Sequence, residues 1–399
     1  MRQNMNTNTK KLKIRFAIIE ASYYAMFASF ASFIGTFALH RGYSQSFISS
    51  SISCYLLFAF LGQFFWGSIC DKIRSNKKIF LLLLTIAGVI QTALFFSPNK
   101  AVYILLYCML GFLLGPGGTV LDTWLLRCMN NDVPVYGKVR SMGTAGYAVA
   151  ILNMGFLAEH YGYWIMPTVS GGILIFTLIM SFTMPEAPFG QKRSEKVTFR
   201  DILSIFKDRE FLILAVVMII AGAAGSPLNN LKIVVLESVG GDISTQGIDS
   251  FMGCVTQFLI FFFAGIFAGI APKKRLVLSS ALITFGITVS YLATSPVMVI
   301  LGTMTIFGTY GILTSASREI VKNNISYDYQ TTANGIADSS YSFISGMLMM
   351  PFAGSISDAI GIRNTLGISI LISVIPMIIL MISFHKDKKN MQQMAKENI

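Results

Sequence analysis

LDTWLLRCMNNDVPVYGKVRSMGTAGY, Leu121 to Tyr147, is the stretch from which the rest of the chain can be read. Apolar sequence flanks it on both sides, yet it holds Asp122 and Arg140. Asp122 stands five residues before the polar turn that opens at Arg127, and Arg140 four residues past Tyr136, where the chain turns apolar again. If the flanks are antiparallel helices, each charge lies about 6–8 Å inside its helix end, at a rise of roughly 1.5 Å per residue. The two are then at similar depth on adjacent helices and can pair. A lone ionised side chain at the centre of a membrane helix costs roughly 2.5–3.5 kcal/mol or more, so such residues pair or face a wet cavity. Two readings are open: a functional pair facing a wet cavity, or a pair that only fixes helix packing near the membrane surface.

Outward from this stretch the chain is apolar. Of its 399 residues 54% are hydrophobic and 13% charged, where soluble domains run at about 25% charged. Apolar runs long enough to cross a bilayer recur along its length. The net charge of +12 is of a size that often marks a nucleic-acid partner, but the basic residues sit in short loops between spans, so no nucleic acid is expected. The five cysteines fall in spans or in loops expected on the reducing side, and imply no disulfide framework. The apolar run after residue 14 is too long for a signal peptide and reads as a retained first span.

Twelve spans are expected: 15–38, 46–69, 79–97, 101–126, 137–158, 164–184, 211–237, 246–271, 276–294, 297–316, 331–353 and 364–384. The fold class is an all-α membrane protein of two six-helix pseudo-symmetric bundles. Residues 1–184 form the N-terminal bundle and 211–399 the C-terminal bundle with a short tail. Residues 185–210 form a charged central loop with a short amphipathic helix over TFRDILSIFKD. On one side of the membrane the loops hold only three basic residues, Arg41, Lys100 and Arg363. The rest of the 31 lie on the other side, Lys232 excepted, since it falls in a span. The positive-inside bias puts both termini and the central loop in the cytoplasm, with the protein in the plasma membrane.

The two halves repeat. Gly155-Phe-Leu-Ala-Glu159-His-Tyr-Gly162 follows span five, and Gly354-Ser-Ile-Ser-Asp358-Ala-Ile-Gly361 follows span eleven, at an offset of 199. Leu39–Ser44 (LHRGYS) and Leu236–Gly241 (LESVGG) repeat in the same way, at an offset of 197. Parallel six-helix repeats with an aqueous site between them are a transporter plan. Gly111, Gly115, Gly117 and Gly118 around Pro116 punctuate span four and read as close helix packing more than as a hinge.

Between spans two and three stands Gly67-Ser-Ile-Cys-Asp71-Lys72-Ile-Arg74-Ser-Asn-Lys77-Lys78. This resembles the loop signature of the major facilitator superfamily, which implies a helix crossing at Gly67 and a gating latch of Gly67, Asp71 and Lys72. Arg74 stands near the place of the family's turn glycine. In the second half Gly269 stands where the latch acid would be. The opening stretch resembles the lactose permease-like branch of oligosaccharide and nucleoside proton symporters. That resemblance implies that Asp122 and Arg140 bind a polar substrate and that Tyr147 stacks against it. Span ten, Leu301 to Ser315, lacks the branch's histidine and acid and keeps Tyr310 as its one ionisable group. In span eight, Gln257 stands in the neighbourhood of the branch's acid.

Glu20 in span one and Asp338 in span eleven are the remaining buried acids that can carry a coupling proton, since burial disfavours the charged form of a carboxyl. Solvation of Glu20 from the membrane surface, and simple helix pairing by Asp338, are the alternatives. Asn229, Asn230 and Lys232 are candidate substrate-binding groups of span seven, though Lys232 has a stem long enough to snorkel outward. No enzyme constellation is present: His40, His160 and His385 lie far apart in sequence, and no phosphate loop occurs. No cofactor or metal is expected. The reading is a monomeric secondary transporter whose partners are a small-molecule substrate, protons and the lipid bilayer. Sugar or glycoside leads as substrate and nucleoside follows, probed against two alternatives: an exporter of drug-like or amphipathic compounds, and a receptor that uses the fold without transport.

Overall fold

The computed structural model describes residues 2–129, 132–187, 205–267, 269–326 and 329–397. Most of the amphipathic helix expected over 198–208 lies outside them. In chain order the helices are α1 (Arg2–Phe30), α2 (Ile34–His40), α3 (Gln45–Ile73), α4 (Asn76–Phe95), α5 (Lys100–Cys128), α6 (Val133–Tyr161) and α7 (Ile165–Phe182). There follow α8 (Arg209–Asn230), α9 (Lys232–Glu237), α10 (Ile243–Phe262), α11 (Pro272–Tyr291), α12 (Pro296–Asn324) and α13 (Gln330–Ser339). A π turn (Ser340–Ile344), α14 (Ser345–Ile360) and α15 (Ile362–Glu397) complete the described chain. Among the described residues ten helices are long and apolar enough to span a membrane. The helices α10 and α11 stand where spans eight and nine are expected, and each is 20 residues long. The protein is an all-helical, multi-pass membrane protein.

The chain divides into two compact units. One comprises Met1–Arg193 with Gly241–Phe251, the other Ser194–Gly240 with Met252–Ile399. In the first, α1 packs on α6 and α7, α3 on α5, and α4 on α5 and α7. In the second, α8 packs on α14 and α15, and α11 on α12 and α15. These are largely the same pairings one repeat further on.

The repeated glycines have a backbone reason. Gly162 and Gly361 close α6 and α14 at φ 82° and 88° with ψ 173° and 157°, a region essentially confined to glycine that costs another residue about 1–3 kcal/mol. Gly42 and Gly240, 198 residues apart, adopt φ 77° and 82°. The first span of each unit is interrupted at a matching point, between Phe30 and Ile34 and at Leu231.

Glycines also set helix spacing in span four. A Cβ at Gly111 would stand 2.5 Å from the Tyr55 carbonyl oxygen, and one at Gly115 2.7 Å from Ala59 Cβ, so these residues let α5 lie against α3. The crossing expected at Gly67 is corrected: a Cβ there would meet nothing within 4 Å, and the close approach of α3 falls at Gly62, against the Phe112 carbonyl.

Candidate functional site

In the first unit Arg140 Nε lies 2.9 Å from Asp122 Oδ1 and 4.0 Å from Glu20 Oε2. The guanidinium also donates from Nη2 to the Tyr24 hydroxyl at 2.7 Å and lies 4.1 Å from the Tyr24 ring centre. The Tyr136 hydroxyl bonds Asp122 from one turn before Arg140 on α6. Glu20 is fully buried, and neither of its carboxylate oxygens has a hydrogen-bond donor. One cation thus serves two acids, and Asp122 holds it more closely. Glu20 is not solvated from the surface, so that alternative falls.

The glycines of the motif build this cluster. A Cβ at Gly143 would stand 2.6 Å from the Tyr24 ring and 2.9 Å from Arg140 Nη1. One at Gly146 would stand 2.2 Å from the Ala21 carbonyl. With hydrogen at both positions α1 lies directly on α6, which brings Glu20 and Tyr24 to Arg140. Gly117 and Gly118 of α5 seat the hydroxyls of Tyr23 and Tyr24, and Tyr23 donates to the Leu114 carbonyl at 2.9 Å. Tyr147 stands two turns past Arg140 on α6, with its hydroxyl 3.1 Å from Ser32 Oγ at the interruption of the first span.

Of the three residues expected to form a latch, Asp71 meets a basic partner: it lies 3.6 Å from Arg127, which also donates to Asn76 Oδ1 at 2.9 Å. Lys72 is exposed. Arg74 takes the left-handed conformation that the family's glycine would supply, at φ 57°.

The other predicted residues belong to the second unit. Asn229 and Asn230 are exposed at the end of α8, Asn230 donating to the Ser226 carbonyl at 3.0 Å. Lys232 does not snorkel outward: it is 5% exposed, with Nζ 5.1 Å from the Phe307 ring centre. Asp338 pairs at 2.5 Å with Arg318, a residue the sequence reading leaves out. Also missed is Asp249, a fully buried acid on α10. It belongs to the first unit and sits two turns before Gln257, the residue that stands nearest the expected place of a span-eight acid.

The family description that matches is "MFS_1 like family", over residues 14–365. The chain belongs to the MFS_1 like family. Among curated relatives it is 21% identical to maltose permease of Geobacillus stearothermophilus over 243 residues, covering 61% of each chain. It is 25% identical to multidrug resistance protein MdtG of Salmonella choleraesuis over 198 residues, covering 47% of each. The chain thus spans between about half and three fifths of the length of these relatives. A solved structure of a mutant of the nucleoside transporter NupG superposes with a TM-score of 0.84 at 15% identity, covering 94% of this chain and 100% of that one. The major facilitator fold of this MFS_1 like chain is therefore shown, and the chain stands in a transporter family rather than among enzymes.

Proposed function

We propose that the protein carries a small polar organic solute, a sugar or a nucleoside, across the plasma membrane by alternating access, coupled to protons. It works as a monomer with both termini in the cytoplasm, as the basic loops favour. The observation that carries the reading is the cluster in the first unit, in which Arg140 serves both Asp122 and the fully buried Glu20. Asp122 and Arg140 offer an acceptor and, beyond the N–H groups already turned to Asp122 and Tyr24, up to three donors to solute hydroxyls, and Tyr147 offers an aromatic face. Glu20 carries the coupling proton: with no donor on either oxygen it is compensated either by a proton or by Arg140. A solute that takes up Arg140 changes which of the two it needs. We therefore place the proton on Glu20 and leave Asp338, already held by Arg318, out of proton carriage. Within the second unit Asn229, Asn230 and Lys232 remain candidate polar contacts for solute, and Gly67, Asp71 and Lys72 belong to the gating loop, where Asp71 engages Arg127.

The names of maltose permease and NupG support a sugar or nucleoside as the class. The likeness to MdtG supports a second reading, export of drug-like compounds. Counterflow in proteoliposomes with labelled maltose, uridine and a lipophilic cation tests both. Saturable maltose or uridine exchange that Asp122→Asn abolishes upholds the proposal. Exchange of the lipophilic cation alone would replace it with the exporter.

A further inference from the structure

The second unit holds a constellation that the proposed mechanism does not use. Arg318 Nη2 donates to Asp338 Oδ2 at 2.5 Å, and the side chains remain 43% and 33% exposed. Both stand within helices long and apolar enough to span a membrane. Ionisable groups at such positions face the bundle interior or water rather than lipid. A packing contact in the same unit looks different. Arg275 bonds Glu319 and donates to Ser315 Oγ at 3.1 Å, and its side chain is 3% exposed though that of Glu319 is 40% exposed, so the cation of this pair is enclosed where Arg318 is not. Glu319, next in sequence to Arg318, is thus spent on joining α11 to α12, while Arg318 stays open.

The repeat gives the pair a counterpart. Asp338 stands 198 residues after Arg140, and Arg318 196 residues after Asp122. Equivalent helices carry the same pair with its charges exchanged: acid then arginine in the first unit, arginine then acid in the second. Each pair also has two tyrosines. In the first unit they are Tyr24 and Tyr136. In the second they are Tyr310 and Tyr341, half-buried, with ring centres 5.3 Å apart at an angle of 36°.

Tyr341 sits in the π turn that begins two residues after Asp338. Gly222 of α8 seats that turn, since a Cβ there would stand 2.4 Å from the Tyr341 carbonyl. Single π turns inside α-helices often mark functional positions. The pair also keeps unused bonding capacity: Asp338 Oδ1, enclosed from solvent, has no donor, and four of the five N–H groups of a guanidinium are left over by the bond to Asp338.

We infer that Arg318 and Asp338 form a binding site for the planar donor–acceptor edge of a nucleobase, with Tyr310 and Tyr341 as its aromatic face. This rests on the solute-transport reading and narrows it to nucleosides. Guanidinium and carboxylate lie side by side in one hydrogen-bonded pair. The first donates to a ring carbonyl, and the second accepts from the neighbouring ring N–H. Uracil carries that sequence of groups in one plane, and its flat faces stack on aromatic rings. A hexose offers hydroxyls in several directions and no flat edge.

The test uses purified full-length protein, labelled uridine binding and proteoliposome counterflow, with maltose as the comparison and thermal melting as the control for folding. Wild type should bind uridine and discriminate at least tenfold against 3-methyluridine, whose ring N–H is blocked. Asp338→Asn should erase that discrimination while still melting as a folded protein, and Arg318→Gln should weaken uridine at least tenfold. The exchanged double variant, Arg318→Asp with Asp338→Arg, should not recover uridine binding. Recovery by the exchanged variant, or discrimination kept by Asp338→Asn, would reduce the pair to helix packing and overturn the inference. Exchange of maltose without uridine would overturn it too, and leave the transport reading standing. Exchange of neither solute would remove both.

Discussion

Arg140 has four neighbours: Asp122, Glu20 and the hydroxyl and ring of Tyr24. Tyr24→Phe keeps the ring and removes the hydroxyl. A hydrogen bond to a charged group contributes about 1.5–3 kcal/mol, so this variant should lose part of that in thermal stability and weaken solute binding in step. Unchanged melting would place the hydroxyl outside the cluster. Gly146→Ala acts on the same cluster through the backbone, since its Cβ would stand 2.2 Å from the Ala21 carbonyl. Overpacking of this kind costs about 1–3 kcal/mol, and detergent melting curves should show it along with weaker binding. The Asp122–Arg140 pair is legible in the sequence because depth on two adjacent antiparallel helices is simple arithmetic. The arrival of Glu20 and Tyr24 is not, because it depends on a long-range approach of α1 to α6. The signal for that approach is present, in Gly143 and Gly146 on one face of α6, but a glycine pair does not name its partner helix.

At the scale of elements, turns decide. Arg74 closes α3 at φ 57°, the one non-glycine residue at positive φ among those described. That conformation costs about 1–2 kcal/mol, partly offset in a glycine by its greater loss of chain entropy. Arg74→Gly should therefore stabilise the protein by up to about 1 kcal/mol, read as a rise in melting temperature; a fall would show that the arginine side chain outweighs its backbone. Asp242 opens α10, accepting from Thr245 N at 2.8 Å and from the Thr245 and Ser244 hydroxyls at 2.7 Å. These bonds hold its carboxyl below the usual carboxylate range. Its folded pKa is thus the lower one, so the stabilisation is complete above the unfolded value of about 3.9 and fades as pH falls through the folded value. Asp242→Ala should cost about 1 kcal/mol at neutral pH, and the gap in melting temperature from wild type should shrink in acid. A gap that stays constant with pH would contradict the assignment. The repeated glycine motifs were legible because Gly162, Gly361, Gly42 and Gly240 each meet a backbone need. The interruption at 31–33 was not, since no proline or run of polar residues stands there, whereas Leu231 follows Pro227 by one turn and is flanked by Asn229, Asn230 and Lys232.

Across the whole molecule the duplication preserves helix pairings while the chemistry diverges. The same two helix positions hold an acid and an arginine in opposite order, and the buried third group, Glu20, occurs in the first unit. Sequence spacing exposed the repeat and the polar residues within it, but not which charges meet. Asp338 was open to a partner elsewhere in the chain, and packing of α12 against α13 gives it Arg318 instead. The function we propose puts the coupling proton in the first unit. Its most direct test is uptake by proteoliposomes under an imposed pH gradient, comparing wild type with Glu20→Gln for whichever solute exchanges. The account predicts that Glu20→Gln retains solute exchange near the wild-type rate but no longer accumulates solute when the gradient is applied. Uphill accumulation by Glu20→Gln equal to wild type would contradict it.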